Sequence, residues 1–196
     1  MTGDAMPTLT LRSYDRYRAV EYAKKWAMSR NPLFANFTGI GGDCTNFVSQ
    51  AVYAGSCEMN LTPTFGWYFR SLDDRAPAWT GVEAFYDFMT GSGDFAPVTL
   101  REGPFGYVTG PEYAQLGDVV QLADEAGDFY HTLMITGFSD AGELLVSAHS
   151  NDALNKPLSE YPNASERIIH IIGVIVPDDD SFPSDCFDRI IGASEA

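Results

Sequence analysis

Apolar residues recur at helical spacing three times in the first half of the chain. Ala19, Tyr22, Ala23 and Trp26 stand at i, i+3, i+4 and i+7 after Ser13, a candidate N-cap, and Asn31-Pro32 stops the run. Phe47, Val48 and Ala51 repeat that spacing in a helix that begins at Cys44 and finds a C-terminal stop at Gly55. The third set, Val82, Phe85, Tyr86 and Met89, follows Thr80 and Glu83, which have the spacing of a capping box, and closes at Gly91. After Pro97 the pattern changes to short β-branched runs between turn residues. Val119 to Leu122, Thr132 to Thr136, Leu144 to Ala148 and Ile168 to Val176 read as strands, with Ser139-Asp140-Ala141-Gly142 as a hairpin turn. Helices first and an antiparallel sheet afterwards predict an α+β fold.

Composition narrows the setting. With 196 residues, 45% hydrophobic and 13% aromatic, one domain can bury a substantial core; it is expected over residues 13–176, followed by a solvated acidic tail over 177–196. A net charge of -15 repels phosphate backbones and anionic lipid surfaces, so neither nucleic acid nor a membrane surface is expected as a partner. There is no apolar run of about 18 residues to span a bilayer, and Met1 to Leu11 has neither the basic start nor the apolar stretch of a signal peptide. The expectation is a soluble chain, extracellular or in the cell envelope if a signal has been removed and cytoplasmic otherwise. Cys44, Cys57 and Cys186 are too few and too oddly counted for a disulfide framework, and at least one should be a free thiol.

The chemistry concentrates in Gly41-Gly42-Asp43-Cys44-Thr45-Asn46-Phe47-Val48-Ser49-Gln50. A thiol becomes a nucleophile when a helix N-terminus and a nearby imidazole favour its thiolate, and the amide at the helix start can hold an oxyanion. Gly41 and Gly42 would let a substrate backbone approach closely. Asp43 stands beside the thiol, where its charge opposes the thiolate, and reads as an N-cap or structural ligand. Of the three histidines, His170 lies in an apolar run and reads as a core or edge-strand residue. His131 opens a strand at the sheet rim and suits a general base. His149 closes the next strand and could orient the His131 ring, a role that Asn151 or Asp152 could also fill.

Cys44 in its Asp43-Cys44-Thr45-Asn46-Phe47 setting, Leu116-Gly117-Asp118-Val119-Val120, and two histidines on neighbouring strands resemble the NlpC/P60 and CHAP superfamily of papain-like peptidases. Within it, Tyr17-Arg18-Ala19-Val20, Trp26, Arg30-Asn31-Pro32, the cysteine block, Gly66-Trp67-Tyr68, Trp79 and Ser147-Ala148-His149 resemble the bacterial putative amidase domain family, from about Tyr14 to about Leu158. The resemblance implies a papain-like fold, Cys44 as nucleophile, His131 as base and His149 as the third polar group, acting without a cofactor on amide bonds of peptidoglycan stem peptides or related peptides. The interval between the histidines is long for that strand pair, which keeps Asn151 open as the orienting group. Gly42, Asp43, Trp67 and Trp79 are the candidate substrate contacts, although aromatic residues in such number also build cores.

Three other readings stand beside this one. A binding module would keep the fold and the cleft without hydrolysis, and an acyltransferase would pass the thioester to an amine instead of water. A zinc site would draw on Cys44, His131, His149 and Asp152, but the short ligand pairs of structural zinc sites are missing.

Overall fold

The computed structural model describes residues 8–92, 101–162, 165–178 and 185–192. Pro97, where the sequence pattern changes, lies outside them. The first helix, α1 (Arg16–Trp26), is capped by Asp15, whose carboxylate accepts from the Arg18 amide at 3.1 Å. Ser13 does not cap it, because the preceding residues are extended and form β1 (Leu9–Arg12), a strand that its four residues did not announce. Helix α2 (Cys44–Ser56) is buried along nearly its whole length. It ends at Cys57, which has a φ of 50° and donates its amide to the Tyr53 carbonyl at 2.7 Å, so the stop comes two residues after Gly55.

Two helices follow in place of one. The short α3 (Pro77–Thr80) takes Thr80 as its last residue, and α4 (Val82–Thr90) starts from Gly81 with no side-chain cap. The expected capping box therefore does not form, and Glu83 pairs instead with Arg167 at 3.0 Å. Gly91 ends α4 in the left-handed region at φ 70°, as its position predicts.

Seven antiparallel strands make the sheet among the described residues. They are β1, β2 (Gly103–Thr109), β3 (Val119–Ala123), β4 (Phe129–Phe138), β5 (Leu144–Ala148), β6 (Ala153–Pro157) and β7 (Ser165–Pro177). The 13-residue β7 pairs with β1, β2 and β3, and the path runs on through β4, β5 and β6. The β4–β5 hairpin turns where expected, with the Gly142 amide donating to the Ser139 carbonyl at 2.9 Å. The ten-residue β4, together with the turn and β5, accounts for the wide interval between His131 and His149.

The sheet has two buried faces. One carries Val119, Met134, Ile169 and Ile171 and packs under the helices with Phe47, Val48, Ala51, Trp67 and Trp79. The other gathers Val120, Leu122, Leu133, Ile135 and Val146 with Leu158. The acidic stretch expected to be solvated is not so throughout: α5 (Cys186–Ile191) buries Phe187 and Ile190 against the helical layer, and Cys186 forms a disulfide with Cys57. Odd cysteine counting had hidden that bond, since one pair plus one free thiol satisfies three cysteines equally well. The chain is thus α+β.

Candidate active site

Cys44 is the first residue of α2 and keeps its thiol, since the other two cysteines are joined to each other. The first bond of the helical ladder runs from the Phe47 amide to the Asp43 carbonyl at 3.0 Å, so the amides of Cys44, Thr45 and Asn46 precede it. No side chain caps this end. The Cys44 side chain is 7% exposed, with Sγ 3.9 Å from the Thr45 hydroxyl. Gly42 enters the helix at φ 106°, a conformation that favours glycine, and a Cβ there would sit 3.4 Å from Ser150 Oγ. That hydroxyl accepts the Asp43 amide at 2.5 Å and joins the loop to the end of β5.

Asp43 occupies the N-cap position but works elsewhere. Its fully buried carboxylate takes the Phe37 amide at 3.0 Å and Asn46 Nδ2 at 2.8 Å on Oδ1. On Oδ2 it meets His149 Nδ1 at 2.6 Å and Arg30 Nε at 3.1 Å, the latter an ion pair without hydrogen-bond alignment. The His149 ring stacks on Phe47 with centroids 4.1 Å apart and places Nε2 2.8 Å from the Trp26 carbonyl oxygen. Arg30 grips both oxygens of Asp152, at 3.0 and 2.8 Å, and donates to the Thr38 hydroxyl at 3.1 Å. Hydrogen bonding from Arg30 is the main cause that holds the Asp152 carboxyl below its usual range, and His149 adds to it.

His131 sits on the other face of β4. Its neighbour Thr132 bonds the Thr45 hydroxyl of α2 at 2.9 Å and accepts from Gln121 at 3.3 Å, so the pleat turns the His131 side chain away from α2. There it pairs across the ladder with Leu122, and its ring lies 5.9 Å from that of Tyr161 and 6.2 Å from that of Tyr130. His131 is 7% exposed and Nε2 has no hydrogen-bond partner. Burial pushes its pKa down to about 4.

Several expected placements are therefore corrected. With Nδ1 on Asp43 and Nε2 on Trp26, His149 has no ring nitrogen left to orient His131. Trp67 and Trp79 do not line a cleft: both are fully buried, with Nε1 donated to Ser49 Oγ at 3.1 Å and to Asn46 Oδ1 at 2.9 Å. Asn151 is exposed, at a φ of 142°. The zinc set is not assembled: among the described residues no three His, Cys, Asp or Glu side chains come together as ligands, and Asp152 is held by Arg30. His170, set aside from the chemistry, bonds Asp118 at 2.9 Å beside Arg16. No local pattern marks Arg30, Ser150 or the Trp26 carbonyl, because each meets its partner in the site only once the chain has folded.

Comparison with known proteins shows the family of the chain. The pattern of the family described as "Putative amidase domain" matches residues 13–172. Two curated proteins of Bacillus subtilis (strain 168) are similar to the chain: "Uncharacterized protein YhbB", 31% identical over 143 residues, and "Uncharacterized protein YjcM", 28% identical over 158 residues. The first alignment covers 71% of this chain and 42% of that protein, the second 80% and 36%, so the chain spans well under half the length of either relative. No solved structure matches. Among the described residues, no helix is long and apolar enough to cross a membrane.

Proposed function

Because the chain belongs to the Putative amidase domain family, we propose that it hydrolyses an amide bond through a thioester on Cys44, with His131 as the base. The observation that carries this reading is the state of the cysteines. Two are locked in a disulfide, and the one remaining thiol stands at the head of a buried helix whose first amides have no side-chain cap. Those amides and the helix dipole favour an anion at that place, first the thiolate and then the oxyanion of the tetrahedral intermediate. The neutral His131 imidazole, kept uncharged at neutral pH by burial, would take the thiol proton and return it to the leaving amine. A water molecule deprotonated by the same ring then releases the acyl group as a carboxylic acid and regenerates the thiol. Bringing Nε2 to the sulfur requires the His131 side chain to turn from its present face of β4. The pairing register shifts beside it, between Leu122 and Ala123, and a one-residue change of register there would exchange the faces of β4. Peptidoglycan stem peptides or related peptides are the proposed substrates, on a papain-like fold of the NlpC/P60 and CHAP kind.

The test is turnover of cell-wall peptide amides by the parent, Cys44→Ala and His131→Ala. Loss of roughly a thousandfold or more in Cys44→Ala, with an unchanged thermal midpoint, is the expected result. Parent-like turnover in Cys44→Ala would overturn the nucleophile. A second reading, an amide-binding domain that does not hydrolyse, is favoured by one observation: no hydrogen bond joins Cys44 to His131. It predicts peptide binding without turnover in the parent.

A further inference from the structure

We propose that His149 and Arg30 are positioning residues that compensate the charge of Asp43, so that the helix head and not the neighbouring carboxylate governs the Cys44 thiolate. This rests on Cys44 being the nucleophile, and it gives His149 a task different from orienting His131.

Asp43 precedes the thiol directly and is fully buried. A lone carboxylate there would disfavour the thiolate in a site with little water to screen it. Its partners supply the remedy. The Trp26 carbonyl can only accept, so the 2.8 Å contact requires a proton on His149 Nε2. A carboxylate that already accepts from Phe37 and Asn46 and pairs with Arg30 is the ionised form, so the 2.6 Å contact requires a proton on Nδ1 as well. The ring is then a cation, stacked on Phe47 one helical turn from the thiol. Arg30 brings the second positive charge and Asp152 the second negative one, so that two cations face two carboxylates.

The other titratable groups nearby do not replace this balance. Tyr22, whose hydroxyl lies between Gln50 and Asn31, stays neutral because burial raises its pKa, with Asp43 adding to the shift. His131 is on the far face of β4 and is uncharged at neutral pH. Removing either cation therefore leaves an uncompensated buried negative charge on the residue that precedes Cys44, whereas removing that charge together with the cation restores the balance.

The experiment is alkylation of Cys44 by iodoacetamide, followed by mass spectrometry on the folded chain. The readout is the ratio of rates at pH 6.5 and pH 9.0, which cancels differences in access to the buried thiol. The set is the parent, Arg30→Gln, Arg30→Lys, His149→Gln, Asp43→Asn, and Asp43→Asn combined with each glutamine variant. Loss of one compensating charge is expected to lower the ratio by about tenfold, one unit in the thiol equilibrium. Arg30→Lys should stay within about twofold of the parent, and Asp43→Asn should restore both glutamine variants to about the level of the parent, since one cation then faces one carboxylate. Rescue of this sign cannot come from lost packing, which would make the double variants worse. Equal effects of Arg30→Gln and Arg30→Lys, or double variants slower than either single one, would overturn the proposal. If His149→Gln does not fold, the Arg30 series decides alone. Alkylation needs no substrate: the expected charge effects without any amide turnover would count against the proposed reaction, and turnover with no charge effect on alkylation would count against the charge compensation.

Discussion

His131 is 7% exposed, with no partner for Nε2, and this burial lowers its pKa from 6.5 to about 4. Stability then depends on pH in a definite direction. The unfolded chain takes up the proton first, so the stability is fully present above about pH 6.5, falls as the pH drops towards about 4, and changes no further below that. The span is worth roughly 3 kcal/mol as an upper figure. Urea midpoints at pH 7.5 and 4.5 are expected to differ more in the parent than in His131→Gln; equal differences would mean that the ring is not buried as described. Asp152 does not confuse the comparison, because its carboxyl is held below the ordinary 3.8 and titrates under this window. Cys44 and its helix were legible from residue order alone, as was His131 as a strand-bound imidazole, while His149 stands one residue past the end of β5. Their partners were not, since nothing local marks Trp26 or Arg30 as neighbours of a residue near position 150.

At the scale of elements, α2 shows how periodicity can be read correctly and a terminus misread. Gly55 looks like a stop, yet it lies inside the helix where α1 crosses. A Cβ there would lie 2.5 Å from the Tyr14 ring and 2.6 Å from the Asp15 carbonyl oxygen, and the Asp15 amide donates to the Gly55 carbonyl at 2.9 Å. Alanine is the better helix former by about 1 kcal/mol. Gly55→Ala is nevertheless expected to destabilise the protein by about 1–3 kcal/mol, because backbone and a packed ring must move. A raised thermal midpoint in this variant would contradict the close crossing. The capping box failed for a related reason: Pro77 opened a separate turn of helix that absorbed Thr80. Strands β1, β2 and β6 escaped notice because none of them carries the run of apolar residues that marks β3 and β5, and β7 or β5 must be present to pair with them.

The whole molecule is closed by the Cys57–Cys186 bond, which spans 129 residues and ties the end of α2 to the start of α5. Cross-linking so long a loop restricts the unfolded chain, and loss of such a bond costs roughly 2–5 kcal/mol. The double variant Cys57→Ala/Cys186→Ala should lower the denaturation midpoint accordingly, and dithiothreitol should lower that of the parent but not that of the variant. An unchanged midpoint would show that packing of Phe187 and Ile190 alone holds the C-terminal helix. By itself the sequence determined the helical first half, the β4–β5 hairpin, the α+β class and a thiol at a helix head, all of them signals of period or order within about twenty residues. Tertiary structure alone decided which cysteines pair, that Asp43 meets His149 and Arg30, and that Thr132 and not His131 faces α2. Those outcomes depend on strand register and on segments that meet only in the folded chain, and a shift of one residue in register would exchange the two faces of β4.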